Sequence, residues 1–238
     1  MIKKIILNLI NKVGYSIVKH KDSEPTENIV KLINRYKINL IIDGGANEGQ
    51  YSKRILGNGY KKNIISFEPI ISAHNKLQAN AKDFPNWVVG PRCALGNENK
   101  EISINVSKNI VSSSILGIRN ETIEFAPETE YIRKEKVQLR TLNSYYNEYF
   151  KNEDNIFLKL DVQGFEKMVL EGASEILPLV KGIQLETSLF RLYDNEPIIE
   201  EMITYVKGLG YELFDLSPGY RNSSTHRLTQ VDCIFIRK

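Results

Sequence analysis

Ile41-Ile42-Asp43-Gly44-Gly45-Ala46-Asn47-Glu48-Gly49-Gln50 is the stretch that decides the fold. The apolar run from Ile38 to Ile42 ends in an acid. A loop of small residues follows, and Tyr51 to Leu56 then takes up helical spacing. A buried strand that hands over to a tight turn and a helix opens a nucleotide-binding α/β unit.

The pattern continues on both sides. Thr26 is placed to begin a helix whose apolar face is Ile29, Val30, Leu32 and Ile33, leading into the first strand, Ile38 to Asp43. Gly57 and Gly59 stop the helix after the loop. A second strand, Asn63 to Phe67, closes on Glu68-Pro69. Ser72 is expected to cap the next helix, Ala73 to Ala81, and a third strand lies at Trp87 to Val89. Strand and helix alternating in this way predict a parallel sheet with right-handed crossovers. Cys93 to Gly96 reads as a turn, Glu101 to Val106 as an edge strand, and 107–135 as a long polar and charged connection. Further on, Asn155 to Leu160 is a strongly apolar strand ending in Asp161, and Gly164 to Leu177 is helical. Gly182 to Leu185 ends in Glu186, Ile198 to Leu209 is a helix, and Tyr211 to Leu216 and Val231 to Ile236 form a last pair of strands around the loop 217–229.

Composition narrows the class. At 238 residues the chain suits one domain, and 42% hydrophobic residues supply a core without staples. A net charge of +3 admits anionic ligands but lacks the strong basic bias of a nucleic-acid binder. Cys93 and Cys233 are far apart and make no metal or redox spacing, which suits buried thiols in a reducing, cytoplasmic setting. Residues 1–25 stand apart as an amphipathic segment and linker, with 26–238 as the main domain. Ile2, Ile5, Ile6, Leu9, Ile10, Val13 and Ile17 recur at helical spacing opposite Lys3, Lys4 and Lys12. The run is too short and interrupted to span a bilayer. It suits a helix packed on its own domain or on a second copy in a homodimer. It also suits a basic helix that makes a peripheral membrane contact through residues 1–18.

Asp43, Glu68, Asp161 and Glu186 all stand at strand ends, where open α/β sheets bind their ligands. No Gly-Lys-Ser or Gly-Lys-Thr is present, so the loop is not a P-loop. Gly44, Ala46 and Gly49 match the dinucleotide fingerprint only with its middle glycine lost, and an acid at the loop's mouth is a poor neighbour for a diphosphate. Asp43 suits a ligand carrying ammonium and sulfonium charges, such as S-adenosylmethionine (SAM). Glu68, 25 residues later, is placed to accept from ribose hydroxyls. An NAD-dependent or nucleotide-sugar enzyme on the same kind of sheet, and a non-catalytic SAM-binding protein, are the alternatives.

With those residues in place, the chain resembles the FkbM family of SAM-dependent methyltransferases. The resemblance is carried by Ile42 to Gly49, Phe67-Glu68-Pro69, Cys93 to Gly96, Leu158-Lys159-Leu160-Asp161-Val162-Gln163-Gly164-Phe165-Glu166, Val169 to Ala173, and Gln230 to Arg237. It covers about residues 38–238, with Gly44 a departure where the family more often has a β-branched residue. It implies a Rossmann-like class I methyltransferase fold: a seven-stranded, mostly parallel sheet with helices on both faces, here preceded by the N-terminal amphipathic helix. It also implies O-methylation of a hydroxyl on a sugar, glycan or related small molecule. By the same resemblance Asp43, Gly44, Gly45, Ala46, Asn47 and Gly49 hold the methionine part of SAM, with Ser52 beside them. Glu68 and Pro69 meet the ribose, and Ala94 and Leu95 flank the adenine. Asp161 lies where cofactor and acceptor meet.

Methyl transfer to a hydroxyl needs alignment and removal of a proton. Asp161 is the first choice of base, Glu186 the next and His226, in the loop before the last strand, the third. A carboxylate needs burial to raise its proton affinity for this task. Asp161 and Glu186 could instead share a divalent cation, but no dense Asp/His cluster supports one, and no metal is assigned. Lys159, opposite in parity to its strand neighbours, is expected to pair with a carboxylate or a helix. Ser112 to Ser114, and the aromatics Phe125, Tyr131 and Tyr220, are candidates for touching the acceptor. The loops 107–135 and 217–229 are expected to form its pocket.

Overall fold

The computed structural model describes residues 25–222 and 224–238. The amphipathic segment 1–18 therefore lies outside the described residues, as do the side chains of the helix start around Thr26. Helix α1 (Pro25–Arg35) leads into β1 (Leu40–Gly44), and α2 (Gln50–Gly57) into β2 (Asn63–Phe67). Helix α3 (Ile71–Ala81) leads into β3 (Trp87–Val89), and β4 (Cys93–Leu95) and β5 (Lys100–Ser107) follow. After α4 (Asn120–Phe125) come β6 (Tyr131–Arg140), α5 (Tyr146–Tyr149), β7 (Ile156–Leu160) and α6 (Glu166–Glu171). The chain ends with β8 (Val180–Ser188), α7 (Ile199–Gly208), β9 (Tyr211–Pro218) and β10 (Gln230–Arg237).

Seven strands form one sheet in the order β3-β2-β1-β7-β8-β10-β9. β10 runs antiparallel to both its neighbours, and the other pairs are parallel. The strand order reverses between β1 and β7. Their carboxyl ends part there and open the crevice in which α/β sheets bind ligands. β1 and β7 are buried along their whole length, as strands covered on both faces must be. Ile42, Leu158 and Leu160 pack into the core on one face. Ile41, Phe157 and Ile234 pack on the other, under Ile29, Val30 and Ile33 of α1.

A second sheet, β4-β6-β5, was not foreseen. Cys93 to Leu95, read as a turn, is a strand pairing with Gln138 to Arg140. Glu101 to Val106 pairs with Arg133 to Gln138 rather than standing alone at an edge. The charged run before Val137 belongs to β6, whose first half is mostly exposed. Ile104, Val106, Val137 and Leu139 face Ile70 and Ala73 across a third small core. This layer walls the crevice beside β2. Ser72 does not cap α3: no side chain caps it, and the Ile70 N–H donates to Glu68 Oε1 at 2.8 Å. The helix expected over Gly164 to Leu177 shortens to Glu166–Glu171 and continues as turns to Leu179.

Candidate active site

A cavity of about 400 Å³ lies at the carboxyl ends of β1, β2, β7, β8 and the facing end of β10. One wall is Gly45, Ala46, Asn47, Glu68, Pro69, Ala94 and Leu95, with Ile70, Ile104, Ile110 and Ile115 giving an apolar patch. Its other wall is polar: Asp161, Gln163, Gln184, Glu186 and Asp232, with Lys159 between the two.

The loop after β1 is shaped by close approach. The Gly45 and Ala46 N–H groups both donate to the Phe67 carbonyl, at 3.1 and 3.0 Å. Gly45 has φ +72°, and a Cβ there would lie 1.9 Å from the Asp161 carbonyl oxygen. Only glycine lets the loops after β1 and β7 touch in this way. Asn47 is left-handed as well, and its N–H donates to Glu68 Oε2 at 2.8 Å. Each Glu68 oxygen thus accepts one backbone N–H, which fixes the carboxylate and leaves lone pairs for a ligand. Burial lifts its pKa to about 7, against the pull of those two donors.

Asp43 does not face the cavity. Its carboxylate is fully buried, 3.0 Å from Lys159 Nζ, and accepts from Ser52 Oγ at 2.9 Å. The register pairs Asp43 with Lys159 across β1 and β7, so both project to the α2 face. Lys159 is the partner its strand parity implies. Its ammonium reaches the Gly45 carbonyl at 3.3 Å, lies 3.7 Å from Asp161 Oδ2 and 5.4 Å from the Tyr51 ring centre. Burial pushes the Lys159 pKa down, but Asp43 and Asp161 more than reverse this, and the ammonium stays charged. Gly44, Gly49 and Ser52 also stand one layer behind the cavity wall. Leu160 and Leu95 fill the space beside Gly44 that a β-branched side chain would occupy.

Gln163 organises the polar wall and was not singled out in the sequence. Its Nε2 donates to Asp161 Oδ1 at 2.6 Å and to Glu186 Oε2 at 2.8 Å. Tyr193 Oη donates to its Oε1 at 2.6 Å. Gln230 Nε2 also donates to Glu186 Oε2, at 2.8 Å. Glu186 Oε1 accepts no hydrogen bond among the described residues, and Glu186 lines the cavity. Burial raises the Glu186 pKa well above the ordinary carboxylate range, with the Asp161 and Asp232 charges adding to it. Asp232 sits directly opposite Glu186 in the β8–β10 register and accepts from Gln184 at 3.2 Å; burial raises its pKa too. Behind the loop, Glu166 accepts the Val162 N–H at 2.9 Å, and burial lifts it to about 8.

Other expectations are not met. His226 is exposed in a surface turn with φ +58° and lines no part of the cavity. None of the described residues of 217–229 lines it; from the long connection Ile110, Val111, Ser113 and Ile115 do. Phe125 packs on Phe190, Tyr131 donates to the Leu116 carbonyl and Tyr220 reaches Glu128, and none of these aromatics lines the cavity. The signal for Gln163 and Asp232 was present only as membership of the two motifs that contain them.

The side chains suit a ligand with hydroxyl and ammonium donors and a flat apolar ring. Asn47, on the cavity wall, has a buried Oδ1 that accepts nothing among the described residues, which leaves an acceptor for such a donor. Glu68 offers free lone pairs, and Ala94, Leu95 and Ile70 offer an apolar slot. The strand order, the single antiparallel strand and the crevice at the β1/β7 switch make up the Rossmann-like fold of class I methyltransferases. Residues 43–213 match the methyltransferase FkbM domain, and the chain belongs to that family. It is accordingly a SAM-dependent methyltransferase.

No curated protein matches the chain. Solved structures that resemble it include magnesium protoporphyrin IX methyltransferase from Synechocystis with bound SAM, at 9% identity, covering 99% of this chain and 97% of that one, TM-score 0.48. An rRNA methylase from Streptococcus thermophilus follows at 11% identity, 91% and 98% coverage and TM-score 0.47. The 1,6-didemethyltoxoflavin-N1-methyltransferase of Burkholderia thailandensis shows 8% identity, 100% and 88% coverage and TM-score 0.46. Their acceptors differ from one another, and likeness at this level says nothing about the acceptor of this chain.

Proposed function

We propose that the protein methylates a hydroxyl of a sugar, glycan or related small molecule, with Glu186 taking the hydroxyl proton. The observation that carries this reading is the polar wall, where Gln163 holds Asp161 and Glu186 together and the cavity-lining Glu186 keeps one oxygen without a hydrogen bond among the described residues. When bound, SAM supplies a methyl group already activated on a sulfonium sulfur. Glu68 would hold its ribose, the Gly45 to Asn47 loop and Asn47 Oδ1 its methionine part, and Ala94 and Leu95 its adenine.

The protein's own task is then acceptor alignment and proton removal. An ordinary carboxylate is a weak base for an alcohol, and raised proton affinity improves the match. The oxygen without a hydrogen bond among the described residues favours Glu186 over Asp161, the first choice from sequence. Asp161 has Lys159 on one oxygen and Gln163 on the other, an arrangement that suits orienting an acceptor hydroxyl. The dense carbonyl, carboxylate and amide lining supports a polyhydroxylated acceptor, whose many donors it can satisfy.

The test is a screen of sugars and glycans with methyl-labelled SAM, followed by location of the label by mass spectrometry. Label on a hydroxyl oxygen is expected. Label only on amines or on RNA would overturn the reading. With an acceptor in hand, Glu186→Gln should lower kcat by about 10²–10⁴-fold while SAM affinity holds. An unchanged kcat would remove Glu186 as the base.

A further inference from the structure

We propose that Gln163, locked by Tyr193, is a positioning residue that holds the proton-accepting carboxylate of Glu186 in place beside Asp161. The proposal rests on the reading of Glu186 as the base and deepens it.

Gln163 sits in the turn after β7 with φ +55°, followed by Gly164 at φ +91°. Two left-handed residues in succession form a shape the chain adopts only when its surroundings hold it. Here they do. Ser114 Oγ donates to the Gln163 carbonyl at 2.7 Å, and Glu166 receives the Val162 N–H at 2.9 Å. The backbone cost is met by placing one amide between two carboxylates from different strands.

The amide's direction matters. A carboxamide can present either its oxygen or its NH₂ to a neighbour. Tyr193 Oη donates to Oε1 at 2.6 Å, so the oxygen is occupied and NH₂ faces the acids. One hydrogen goes to Asp161 Oδ1 and the other to Glu186 Oε2. Tyr193 stays a donor because burial raises its pKa well above the ordinary phenol value. It is itself fixed, since its backbone bridges Ile118 and the Asp194 N–H donates to the Gly117 carbonyl at 2.8 Å.

Glu186 needs this help. Asp161 in the turn after β7, Asp232 on β10 and Glu166 on α6 all raise its proton affinity, and Lys159 on β7 offsets them. Of the two side chains that donate to it, Gln163 and Gln230, Gln163 alone also restrains Asp161. A donor to the ionised form lowers a carboxyl pKa, and its loss raises it. Removing the amide therefore leaves Glu186 protonated over a wider range of pH.

Carbon-13 NMR of the protein labelled at glutamate side-chain carboxyls reads this without an acceptor, with the Glu186 signal assigned by Glu186→Gln. Gln163→Met should raise the Glu186 pKa by about one unit, the worth of one donor to a charged group. Gln163→Glu, which keeps the shape but replaces the donor with an acid, should raise it further. Tyr193→Phe should raise it less. SAM affinity by calorimetry should stay within about threefold in all three. A Glu186 titration unmoved in both Gln163 variants overturns the proposal, and the near-isosteric Gln163→Glu decides the matter if Gln163→Met does not fold. If Glu186→Gln keeps full methyl transfer, the base assignment fails, whereas the shift in the Glu186 titration would still stand as measured.

Discussion

Lys159 and Asp43 meet across β1 and β7 at 3.0 Å, with side chains 9% and 0% exposed. A buried pair contributes little net stability when intact, but losing one partner leaves an uncompensated charge. Lys159→Met should therefore cost about 3–5 kcal/mol in urea unfolding. The double change Asp43→Asn with Lys159→Met should cost clearly less than the sum of the two single changes; simple additivity would show that the pair is not coupled. This pairing also explains why Asp43 misleads as a sequence feature. An acid at the end of the first strand reads as a ligand group, yet side-chain parity turns it to the α2 face, where Ser52 and Lys159 absorb it. Lys159 shows the reverse, since parity alone marked it as a carboxylate's partner. Gln163 could not be read at all, because its role depends on Glu186, 23 positions away, and on Tyr193, 30 away.

At the scale of elements, the site depends on contact between the turns after β1 and β7. Gly45→Ala puts a Cβ against the Asp161 carbonyl at a residue with φ +72°. That change should lower stability by about 2–4 kcal/mol and abolish SAM binding together. Normal SAM affinity in a Gly45→Ala protein would show that the two turns can part without harm to the site. The strand-turn-helix around these loops was legible because the apolar residues of β1 run straight into an acid and two glycines. The β4-β6-β5 layer was not. β4 has three residues, its partner stretch begins at Gln138, and the exposed first half of β6 carries charges that read as a loop. Non-local pairing of a short strand leaves no periodic trace. The resemblance named Ala94 and Leu95 as site residues, but the strand that carries them became visible only through its pairing.

For the whole molecule, five buried carboxyls with raised proton affinity, Glu68, Glu166, Glu186, Glu196 and Asp232, set a pH dependence. Burial lifts Glu68 to about 7, Glu166 to about 8 and Glu196 to about 7. In the unfolded chain a glutamate titrates near about 4.3. The folded state thus binds these protons more tightly, and the stability they bring is complete below about 4.3 and lost as pH rises through 7 to 8. Urea midpoints should fall between pH 6 and pH 8.5, and a midpoint that holds or rises would contradict this. In the crevice between β1 and β7, Glu68 is braced by two backbone donors, and the proposed function has it receive the ribose of SAM. Calorimetric titration of SAM into the wild type and into Glu68→Ala tests it most directly. The expected result is saturable one-site binding by the wild type, weakened about 10²-fold in the variant. Equal affinity in the two proteins, or no binding by the wild type, would contradict it.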